Sequence, residues 1–135
     1  MIKIIFGITI ISINAINNRR ANVGDISVSS TPQIKNVKEK EIEGIQGKLL
    51  LIEFSFTTKY EPDIGEIKIE GEILYKPKDI DEALKYWKKN KKLQDDIAIP
   101  ILNALFKKCL TEIISIAEEL QLPPPIMFPV AKPKN

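Results

Sequence analysis

The chain has 135 residues, 44% of them apolar and 28% charged. This is the balance of a globular protein, and at this length a fold hides roughly 65–70% of its unfolded surface. The net charge of +2 is too small for the whole surface to trap polyanions. With no His and one Cys, Cys109, the chain can build no imidazole acid/base, no Cys/His zinc site and no intrachain disulfide.

The elements are read in chain order. Ile2 to Ile16 is the one membrane-like stretch, and it is too short to span. Lys3, the apolar run and the small Ala15 imitate a secretory signal. The dominance of β-branched Ile, and alternation beyond Ile11, favour a first β-strand in a cytoplasmic protein. Asn17 to Asp25 is rich in loop-forming Asn, Gly and Asp. From Ile26 to Ile42 the apolar residues thin among Lys and Glu, as in an edge strand guarded by charge and by Pro32.

Between Gly47 and Glu61 the alternation is clean. Leu50, Ile52, Phe54, Phe56 and Tyr60 share one face, and Glu53, Ser55, Thr57 and Lys59 share the other. The turn Glu61-Pro62-Asp63-Ile64-Gly65 predicts an antiparallel return with Ile67, Ile69, Ile73 and Tyr75 on its apolar side. Gly71 falls on that same side, which leaves room for a bulky neighbour or another backbone.

Past Pro77 the period becomes helical. Asp79 or Asp81 caps a helix through Lys89, with acids at its start and lysines at its end to match the dipole. A longer helix runs from about Asp95 to Leu120, with its apolar stripe at positions 102, 105, 106, 109, 110, 113, 116, 117 and 120. Pro100 makes that helix either begin near Ile99 or kink there. Pro123-Pro124-Pro125 ends it, and residues 131–135 read as a loose tail. Four strands followed by helices predict a single α+β domain over residues 1–135, a four-stranded antiparallel sheet with a long helix packed on one face.

Reactive constellations are scarce. The six Gly residues are dispersed and form no phosphate loop. Cys109 lies in the helical stripe, as a small core side chain does. The pairs Asp95-Asp96 and Glu118-Glu119 point about 100° apart on a helix and converge on nothing. Lys85-Tyr86-Trp87-Lys88-Lys89-Asn90-Lys91-Lys92 is the best case for nucleic acid, with Lys88, Lys89, Lys91 and Lys92 for phosphates and two aromatics for stacking. Dipole compensation and covering of the sheet by Tyr86 and Trp87 account for the same residues. The apolar faces exceed what one two-layer contact needs, and the surplus must be covered by the chain's own loops, by another copy or by a client.

The order of parts, Leu105-Phe106-Lys107-Lys108-Cys109-Leu110-Thr111-Glu112 within the helix, and Gln121-Leu122-Pro123-Pro124-Pro125 at its exit resemble the SecB-type export chaperones and their archaeal SecB-like relatives. The resemblance implies a non-enzymatic, ATP-independent holdase without cofactor or metal, binding unfolded polypeptides in protein export and assembling as a tetramer, a dimer of dimers. Bacterial members are acidic and end in a Cys/His zinc tail that engages the export motor. This chain is slightly basic and closes on Val130-Ala131-Lys132-Pro133-Lys134-Asn135, which weighs against motor coupling. Extended clients dock on strand edges and apolar pockets through main-chain hydrogen bonds. Phe54, Phe56, Tyr60, Trp87 and Phe128 are the candidate client contacts on this reading. A nucleic-acid module and a structural self-assembly protein are the alternatives.

Overall fold

The alternating strands of the sequence assemble into one sheet. A computed structural model describes residues 5–19, 24–44 and 47–125. Its elements are β1 (Ile5–Asn17), β2 (Ser27–Glu41), β3 (Lys48–Glu61), β4 (Gly65–Tyr75), α1 (Ile80–Asn90) and α2 (Asp95–Glu119). The sheet order is β1-β4-β3-β2 and every pairing is antiparallel. The meander β2-β3-β4 follows chain order, while β1 lies beside β4, so the connection leaving β1 must pass the full width of the sheet.

The β3–β4 hairpin forms where the alternation is cleanest. Ile64 N–H donates to the Tyr60 carbonyl at 2.9 Å to close the reversal. Leu50, Ile52, Phe54, Phe56 and Tyr60 pair along β4 with Tyr75, Ile73, Gly71, Ile69 and Gly65, and all ten residues are buried. Gly71 is where β1 and Phe54 converge: a Cβ there would run into the Thr9 carbonyl oxygen and come within 2.9 Å of Phe54 Cζ. The room left by this glycine is filled by both a neighbouring backbone and an aromatic ring.

α1 is capped by Asp79, whose Oδ1 accepts from Glu82 N–H at 3.1 Å, and it ends on Lys91 in the left-handed region. α2 starts at Asp95 and carries Pro100 inside it, so the start near Ile99 is not the option taken. Its buried residues are Ile97, Ile101, Leu105, Cys109, Ile113 and Ala117, a strict four-residue stride. On a helix of 3.6 residues per turn that stride drifts by about 40° each step. The buried line is therefore an oblique i±4 ridge, narrower than the predicted stripe, suited to crossing a twisted sheet.

The far end of α2 is fastened to the sheet. Asn17 Nδ2 donates to the Leu120 carbonyl at 2.8 Å, and Tyr60 Oη donates to the Pro123 carbonyl at 2.7 Å. Leu122 lies against the Cβ-free space of Gly65. The expected loose tail at 131–135 falls outside the described residues.

Candidate functional site

The sheet has two edges, and they differ in chemistry. β2 holds Pro32 and five charged residues from Lys35 to Glu41. Lys35 Nζ pairs with Glu70 across the width of β3, Lys38 with Glu53 at 3.5 Å, and Glu39 with Lys48 at 2.7 Å. The Lys35 amine holds the Glu70 carboxyl below its usual range, and Glu39 raises Lys48. Charge and Pro on an edge discourage addition of another strand.

β1 is the opposite case, because from Ile5 to Asn17 it contains no charged residue. Its register against β4 slips at Ile5/Gly7 and at Ile10/Ser12, leaving Phe6 and Ile11 as the extra residues of two bulges. Both are large, apolar and exposed, Ile11 to 63%. Ile13 and Ile16 are exposed as well, Ile16 to 52%. Four of the seven exposed large hydrophobics among the described residues thus stand on this one edge strand. Between β1 and α2 an open depression of about 340 Å³ is lined by Ile8, Ala104, Lys107, Lys108, Thr111 and Glu112.

The aromatics singled out from the sequence lie elsewhere. Phe54, Phe56 and Tyr60 are buried in the core with the α2 ridge, and Trp87 is 8% exposed on the inner side of α1. In the single folded chain none of the four offers a surface to a client. Phe128 falls outside the described residues. Lys88, Lys89, Lys91 and Lys92 are all exposed, but the burial of Trp87 removes the better stacking platform beside them. The β1 patch has no clean alternation to announce it, because its two bulges interrupt the period. The signal that marks it is the lack of any charge across a thirteen-residue strand.

β1 carries no ionisable side chain from Ile5 to Asn17. Burial pushes the Cys109 thiol up to about 11, so it is protonated at neutral pH. Among the described residues no three His, Cys, Asp or Glu side chains gather to hold a metal ion, and no helix is long and apolar enough to cross a membrane. What the edge can do is bind, through unpaired backbone groups and apolar side chains.

No family model and no curated protein matches the chain. Among solved structures it is similar to the SecB-like chaperone Rv1957 of Mycobacterium tuberculosis, solved in complex with a ChAD peptide from the Rv1956 HigA1 antitoxin. The likeness covers 96% of this chain and 91% of that one, with a TM-score of 0.56 and 16% identity. The fold is SecB-like. At that identity the likeness speaks for architecture, and it agrees with the four-strand, long-helix order read from the sequence. In this SecB-like chain the sheet places its unguarded strand at one margin and its charged strand at the other.

Proposed function

We propose that the chain is a non-enzymatic, ATP-independent holdase that binds unfolded polypeptide as an added strand along β1. The observation that carries this is the uncharged edge itself, with Phe6, Ile11, Ile13 and Ile16 exposed beside unpaired backbone. Main-chain hydrogen bonds to such an edge depend little on client sequence, and the isoleucines and phenylalanine add apolar contact. The SecB-like architecture supports the same reading, since Rv1957 was solved holding a peptide. A role in the cytoplasm, in support of protein export, follows the resemblance, and the use of the N-terminal apolar run as a sheet strand agrees with it.

The test is aggregation of a refolding client in the presence of several-fold excess protein. Suppression is expected, and it is lost in an Ile11→Lys, Ile13→Lys double variant that retains the wild-type circular dichroism. Failure of the wild-type protein to suppress aggregation sinks the proposal.

The same edge favours a second reading, self-assembly, in which β1 of another copy fills the position, up to a dimer of dimers. A tight oligomer by light scattering that holds no client selects this alternative.

A further inference from the structure

Three of the six lysines in the sheet strands have carboxylate partners among the described residues, whereas none of those at the end of α1 does. Lys35, Lys38 and Lys48 are all in ion pairs. Lys85, Lys88, Lys89, Lys91 and Lys92 are exposed, and none is in an ion pair with another described residue. Helix-dipole compensation accounts for Lys88 and Lys89, the two in the last turn. It does not account for Lys85, which stands at i−3 and i−4 from them, where like charges repel. Nor does it account for Lys91 and Lys92, which lie past the helix end. Asp81, four residues before Lys85, is not paired with it. Residues 85–92 hold five of the chain's 20 basic residues and no Asp or Glu, which makes this corner a local concentration of positive charge.

We propose that this corner is a second contact for the polypeptide client and selects chains that carry acidic runs. The inference rests on the holdase reading. An anionic segment relieves the repulsion among the lysines and is drawn in from a distance set by ionic strength. The cluster contains no Arg, so it offers point charges rather than planar forks and recognises charge without fixed geometry, as an unfolded segment requires. Single-stranded nucleic acid fits less well, because Trp87 faces the core and is 8% exposed.

The experiment measures fluorescence anisotropy of three labelled probes on the full chain: a peptide mixing Glu with apolar residues, the same peptide with Gln for Glu, and oligothymidine. At about 0.05 M salt the acidic peptide should bind about tenfold more tightly than its Gln counterpart, and the advantage should vanish at about 0.5 M. It should also vanish in the variant K85Q/K88Q/K89Q/K92Q and survive in the corresponding Lys→Arg variant. Equal binding of the two peptides, or a preference that persists in the Gln variant, overturns the proposal. Tighter binding of oligothymidine than of the acidic peptide also overturns it and reassigns the corner to nucleic acid. Binding of the Gln peptide, with aggregation suppression of an uncharged client, reports the β1 reading separately, so either idea can fail alone.

Discussion

Phe106 on α2 stands edge-on to Phe56 on β3, with ring centroids 5.4 Å apart and planes at 90°. Phe56 is fully buried and Phe106 is 37% exposed, so this pair joins the core to the surface at the helix–sheet boundary. The two rings should differ in what they contribute. Phe56→Ala is expected to cost about 3–5 kcal/mol through the cavity it leaves. Phe106→Ala should cost about 1–2 kcal/mol, the edge-to-face term plus partial burial. Urea unfolding midpoints at constant m-value read both, and equal losses would contradict the assigned burial.

Gly71 supplies a sharper test of packing. Ala at this position pushes a methyl group into the Thr9 carbonyl and the Phe54 ring, so β1 must shift away from β4 or the ring must turn. A loss on the order of 1–3 kcal/mol is expected. Amide exchange along β1 should accelerate more than exchange in β3. An unchanged β1 would show that the close approach is not there.

Tyr60→Phe keeps the buried ring and removes the donor to the Pro123 carbonyl. About 1 kcal/mol should be lost. The effect should appear as loosening of the segment after α2, detected as faster proteolysis there while the sheet signal is kept.

Alkali should destabilise the fold. Burial raises the Cys109 thiol to about 11 and raises Tyr60 and Tyr75, the last with help from Asp96. Each group therefore holds its proton more tightly folded than unfolded, so stability is fully present below the unfolded pKa values and falls as pH rises through the folded ones. For Cys109 the loss between about pH 9 and 11 reaches up to about 2 kcal/mol. Cys109→Ala and Cys109→Ser both remove the thiol titration and should reduce the slope of this alkaline limb of stability against pH, Ser at the added cost of a hydroxyl in an apolar site. Glu70 acts in the opposite direction: its lowered pKa gives a contribution present above the unfolded value and lost as pH falls through the folded one.

The parts of the fold governed by local rules were legible. The alternation of β3 and β4, a cap at Asp79 or Asp81 and the space at Gly71 each follow from side-chain period, capping chemistry or steric need, and the structure realises all three, with Asp79 as the cap. Strand order was not legible, since nothing local tells β1 that its neighbour is β4. The bulges at Phe6 and Ile11 break the two-residue period, which is why the N-terminal run reads as continuous grease with a signal-like look. Leu49 and Leu51, in phase with the polar residues Glu53, Ser55, Thr57 and Lys59, are buried apart from the main core cluster. Phe54, Phe56 and Tyr60 stay inside because α2 lies over the apolar face of β3, and Trp87 is buried on the inner side of α1. The exposed edge was visible in the sequence only as missing charge.

Because β1 is the first strand of the chain and pairs with the fourth, Ile5 meets Tyr75 and Asn17 meets Gly65. On the ribosome the strand emerges long before its partner exists. During that interval the nascent chain displays the same unpaired backbone and greasy side chains that the finished molecule keeps at its rim, and zipping must wait for a contact distant in sequence, a slow kind of closure.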